Sequence, residues 1–131
     1  MKCKMTAMAT FLVSVGLIST GSPAFEQVET PGVSTTYMSC MARAGANTVQ
    51  SGICAQTEMA SQDARLNKAY QQVMRQLASE PAKHTALREE QRSWLKTRDY
   101  ECKVDQQTIS STCIVAKTAI RATELENQIQ F

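Results

Sequence analysis

The chain has 131 residues, 43% of them hydrophobic and 20% charged, with 14 Lys and Arg against 12 Asp and Glu and a single His. Such a balance supplies no field for holding nucleic acid or an anionic membrane, and one His leaves little for a catalytic triad or a histidine metal site. The length suits one domain with a modest core, of the size that exported proteins reinforce with disulfides.

Residues 1–24 read as a secretory signal. Lys2 and Lys4 form a basic start, Met5 to Ile18 is apolar, and Ser22-Pro23-Ala24 offers small residues for cleavage after Ala24. The apolar run is shorter than the about 20 residues that a helical membrane span needs, so no span is expected after signal removal. Loss of Lys2 and Lys4 brings basic and acidic residues level, and Cys3 leaves with them. The expected location is periplasmic or secreted. Residues 25–36 carry Pro31 and Gly32 without hydrophobic periodicity and are expected as a flexible leader, with residues 37–131 as the folded domain.

In residues 37–54 a short helical turn is expected near 37–44, with Gly45 and Gly52 as breakers. Met59, Leu66, Tyr70, Val73 and Leu77 then recur on one stripe and predict a helix over 55–78. Ser79-Glu80-Pro81 reads as the cap and first turn of a second helix over 81–103, and so short a connection sets the two helices antiparallel. Residues 104–110 break the pattern. Ser110 or Ser111 caps a third helix over 111–129. Its apolar residues form two rows, Ile109, Cys113, Ala116 and Ile120 against Ile114, Leu125 and Ile129, which suits a helix with several neighbours or an oligomeric contact. The expected fold is all-α, a small antiparallel bundle of three main helices.

The segment Leu87–Cys102 has an unusual face. At 100° per residue, Leu87, Gln91, Trp94, Arg98 and Cys102 fall within roughly 80° of one another, so two polar side chains stand where a simple amphipathic helix would carry leucines. Polar groups on a packed face cost about 1–3 kcal/mol each unless partnered. Gln91, Trp94 and Arg98 are therefore expected as a structural polar core. Away from that face, Arg88, Arg92 and Lys96 recur every four residues as a basic ridge, the candidate partner-binding surface on the opposite side of the helix.

The four cysteines of the mature chain, Cys40, Cys54, Cys102 and Cys113, are expected to form two disulfides. Four cysteines allow three pairings. In an antiparallel bundle Cys54, Cys102 and Cys113 gather at one end, and nearness in sequence favours Cys40–Cys54 with Cys102–Cys113, against a Cys54–Cys102 alternative. No Cys-x-x-Cys pair, nucleophile elbow, phosphate loop or dinucleotide fingerprint is present. Glu89-Glu90 and Glu124-x-Glu126 point apart on a helix and cannot act as a catalytic pair, so they read as solvated faces. No enzyme activity, metal or cofactor is expected.

Cys54, the run Leu66-Asn67-Lys68-Ala69-Tyr70, the block Leu87-Arg88-x-x-Gln91-Arg92-x-Trp94-Leu95-x-x-Arg98-Asp99-x-x-Cys102, then Cys113 and Thr118-x-x-Arg121-x-x-Glu124-Leu125 stand in an order and spacing that resembles the lysozyme inhibitor LprI-like family, in its N-terminal domain, over residues 40–127. The resemblance implies a small disulfide-containing helical domain exported to the envelope, with a protein partner, a lysozyme, that it inhibits. One departure is the loop between Cys102 and Cys113, which is short and lacks a Gly-rich insertion associated with the family. The expected mechanism is occlusion of a muramidase cleft, with Arg88, Arg92 and Lys96 meeting its carboxylates. The alternative is a structural or adaptor module of the envelope without a lysozyme target, whose two-sided third helix pairs with itself, burying Leu125 and Ile129, or with another protein.

Overall fold

A computed structural model describes residues 30–131. The expected signal over 1–24 and the first part of the leader lie outside the described residues. Four helices follow in order: α1 Thr35–Ala44, α2 Thr48–Gln76, α3 Pro81–Glu101 and α4 Ser111–Glu126. The fold is all-α, with three long helices and one shorter one.

Local signals explain most of the boundaries. Ser34, Asn47 and Ser110 each accept a hydrogen bond from the backbone N–H three residues on, which satisfies a donor that the first helical turn leaves free. Pro81 begins α3, where its missing N–H costs nothing, while Glu80 at the cap makes no side-chain bond. Gly45 ends α1 at φ 53, a left-handed value that favours glycine. Two sequence expectations change. The turn near 37–44 is a complete helix, and α2 starts at Thr48 rather than residue 55, taking Gly52 into its interior. Asn47 supplies a start signal that outweighs the helix penalty of one glycine.

Helix α4 is central. Val115, Thr118, Ala119, Ala122 and Leu125 on it are fully buried. It runs parallel to α2, since Arg65 meets Thr123 and Glu126 while Gln76 meets Gln130. It runs antiparallel to α3, since Glu101 meets Lys117 while Gln91 meets Arg121. The apolar core joins Leu66, Ala69 and Val73 of α2, Leu87 of α3, and Ala122 and Leu125 of α4, with Tyr70, Met74, Leu77, Trp94 and Ile129 packed against it. The alanines let α2 and α4 approach most closely, whereas α3 reaches α4 mainly through long polar side chains.

Disulfides join Cys40 to Cys54 and Cys102 to Cys113. The first clips α1 to α2, and the second ties the end of α3 to the first turn of α4. The described end of the leader is pinned rather than free. Glu58 accepts from the Ser34 N–H at 2.8 Å and from its hydroxyl at 2.6 Å, while Gln62 and Arg65 donate to the Gly32 carbonyl at 2.9 and 3.0 Å. At φ +85, Gly32 lies so close to Arg65 that a Cβ there would meet its guanidinium at 2.3 Å.

Candidate functional site

The polar face of α3 turns toward α4. Arg121 of α4, 6% exposed, donates from Nε to Gln91 Oε1 at 3.0 Å and from its two terminal nitrogens to Glu90 at 2.8 Å and Glu124 at 3.2 Å. Arg98 donates to the buried Thr118 hydroxyl at 3.2 Å and pairs with Asp99 at 2.8 Å. Both guanidinium carbons stand over the half-buried Trp94 ring, 5.4 Å from its centroid for Arg98 and 5.9 Å for Arg121, within range of a cation–π attraction. Gln91, Trp94 and Arg98 thus lie on one seam, where Arg121 reaches Gln91 and the Trp94 ring, and Arg98 stands over the same ring. Among the described residues no buried side-chain polar atom lacks a partner.

The buried polar atoms of this seam are bonded to one another, which suits a structural role. The acidic residues read as solvated faces have the same fate: Glu90 and Glu124 flank Arg121, and Glu126 takes both forks of Arg65 at 2.7 and 2.6 Å. Each keeps some exposure, which is why helical position alone placed them on the surface. Among the described residues no group of three His, Cys, Asp or Glu is placed to hold a metal ion. His84 is half-buried near the start of α3, far along the helix from both disulfides.

A groove lies between α2 and α3, with a cavity volume of about 520 Å³. Helix α2 contributes Asp63, Leu66, Asn67 and Tyr70, and α3 contributes Arg88, Gln91, Arg92, Leu95 and Arg98. Arg88 and Arg92 therefore share a wall with Gln91 and Arg98 instead of standing on the opposite side of the helix. Adjacent helical residues are only 100° apart, so the ridge flanks the polar face. Lys96 continues the row outside the groove.

Five positive side chains of the described residues, Arg65, Lys83, Arg98, Lys117 and Arg121, form intramolecular ion pairs, while Arg43, Lys68, Arg75 and Lys103 are exposed, unpaired and not in a row. Arg88, Arg92 and Lys96 are exposed, and among the described residues none of them makes an ion pair. Sequence reasoning found this row from its four-residue spacing but gave Arg121 no role. The Arg121–Glu124 spacing was a visible signal, whereas the link to Gln91 needs α3 and α4 to be docked.

No helix among the described residues is long and apolar enough to cross a membrane. A family model described as Lysozyme inhibitor LprI matches residues 40–125. No curated protein and no solved structure matches the chain.

Proposed function

The chain belongs to the lysozyme inhibitor LprI family, and on that premise we propose that it is an exported envelope protein that binds a lysozyme and occludes its substrate cleft. A non-enzymatic role fits the family, and two disulfides are consistent with a place outside the cytoplasm. The observation that carries the binding mode is the unpaired row Arg88, Arg92 and Lys96 on an exposed flank of α3. A muramidase cleft presents a pair of carboxylates to its glycan. A row of free cations complements such carboxylates and draws the domain toward the cleft. The whole-chain charge of +2 includes the expected signal, so attraction to the target rests on this local row rather than on net charge.

The test is clearing of a cell-wall suspension by c-type and g-type lysozymes with and without the oxidised domain. Slower clearing with at least one enzyme is the expected result, and unchanged clearing at micromolar excess rejects the proposal. The adaptor alternative loses its dimer face, because Leu125 is fully buried within one chain and Ile129 packs on the same cluster.

A further inference from the structure

Beyond the ridge, α3 leads into a loop that has the properties of an insertion element. Residues Lys103–Ile109 are all exposed. Tyr100 on the last turn of α3 is 75% exposed, Val104 70% and Ile109 46%. Large apolar side chains scattered singly on a surface need no explanation, but three gathered around one loop do.

The loop is also held in shape from within. Cys102–Cys113 closes it covalently. The Val104 N–H donates to the Thr108 carbonyl and the Ser110 N–H to the Cys102 carbonyl, each at 2.9 Å, and Lys103 and Ile109 form an antiparallel bridge. At the tip, Asp105 Oδ1 accepts from the Gln107 and Thr108 N–H groups at 2.8 and 2.7 Å. Those two N–H groups hold the Asp105 carboxyl below the usual aspartate range. A loop already held by a disulfide and these backbone bonds loses little conformational freedom on binding. Exposed apolar side chains on such a loop are available as anchors, and Tyr is enriched among the side chains that dominate interfaces.

The loop is continuous with the proposed binding surface. Arg88, Arg92, Lys96 and Tyr100 follow one another at intervals of four on α3, each step advancing about 6 Å and turning about 40°. The row thus runs from unpaired cations to an aromatic at the end of α3, and Val104 stands beyond the helix at the base of the loop.

We propose that this stapled loop, with Tyr100 and Val104 as anchors, is the part of the domain that enters the substrate cleft of the target lysozyme, while Arg88 and Arg92 steer the approach. The inference rests on the inhibitory reading above. A convex, rigid element suits a concave glycan-binding cleft, and the two parts of the surface have separable kinetic signatures. Rim charges act on association rate and its salt dependence, whereas buried anchors act on dissociation.

The experiment measures association and dissociation of the oxidised domain on immobilised c-type and g-type lysozyme, beside the clearing assay. Tyr100→Ala with Val104→Ala is expected to raise the dissociation rate about tenfold or more, and to abolish inhibition at concentrations where the parent domain is effective. Arg88→Ala with Arg92→Ala is expected to slow association and flatten its salt dependence. Both pairs lie on the surface, and circular dichroism of each variant checks that the helices persist. If the parent domain inhibits and the loop variant inhibits equally well, the loop proposal is overturned and the inhibitory reading stands. If the parent domain neither binds nor inhibits, both fall. A parent domain that dimerises through the loop, with inhibition untouched by the loop variant, also overturns the loop proposal and makes the patch a self-association face.

Discussion

At the level of single residues, the arginines show how one side-chain type is given opposite work. Arg121 is buried and its fork is divided among Gln91, Glu90 and Glu124. Its planar fork holds three partners in a fixed geometry, where a lysine would offer one compact point charge on a flexible stem. Arg65 does the same between Glu126, Thr123, Gln62 and Gly32. Glu58 is the carboxylate counterpart. Burial would raise its carboxyl, but hydrogen bonds from the Ser34 hydroxyl, the Gln62 amide and the Ser34 N–H, with the nearby Arg65 charge, hold it below the ordinary glutamate value. A carboxyl lowered by folding stabilises the native state above its unfolded value, about 4.3, and that stabilisation disappears as pH falls through the lower folded value. Urea midpoints measured from neutral to acid pH should therefore fall more steeply in the parent than in Glu58→Gln, with the difference developing below the ordinary carboxylate range. Parallel curves would show that the bonds from Ser34 and Gln62 to the Glu58 carboxylate do not contribute.

At the level of elements, the long helices were legible because their apolar residues recur with helical period and their ends carry cap residues. Tyr70, Val73 and Leu77 marked α2, Pro81 marked the start of α3, and Ser110 marked α4. The first seven residues of α2, 48–54, were not legible. Gly52 reads locally as a breaker, and residues before Cys54 offer no long apolar stripe. Asn47 caps the helix and the Cys40–Cys54 bridge holds its first turns against α1, so the chain continues helically through the glycine. A Cβ at Gly52 would meet nothing within 4 Å. Gly52→Ala should therefore stabilise the domain by about 1 kcal/mol, seen as a rise of roughly 4–8 °C in melting temperature. An unchanged or lower melting temperature would mean that the first turns of α2 are not helical in solution. The ridge was visible from its four-residue spacing. Its groove was not, because that requires the angle at which α3 meets α2.

At the level of the whole molecule, the disulfides and the polar seam share the task of fixing α3. Only Leu87 of α3 belongs to the buried apolar cluster, so little hydrophobic area holds this helix to the other two. Its attachment comes from Trp94, the Gln91–Arg121 and Arg98–Thr118 bonds, and the Cys102–Cys113 bridge. Replacing Cys102 and Cys113 together by Ser should cost about 2–4 kcal/mol through greater freedom of the unfolded chain, read as a lower urea midpoint. A midpoint within error of the parent would show that the seam alone suffices.

The sequence by itself determined the helical class, the long helices apart from the first turns of α2, the Ser110 cap, the local pairing favoured for the cysteines, and the family, because period, cap chemistry and motif spacing are local properties of a chain. It also located a row of cations on α3. The tertiary structure alone decided which charges are spent and which are free. Arg121, Arg65 and Lys117 find charged partners on other helices and Arg98 reaches the Thr118 hydroxyl of α4, while Arg88, Arg92 and Lys96 make no ion pair. It likewise decided that Leu125 serves the core rather than a second chain, and that Tyr100, Val104 and Ile109 surround one exposed loop. The physical reason is that ion pairs and burial depend on distances between elements far apart in sequence, and helical periodicity places a residue on a face without saying what that face will meet.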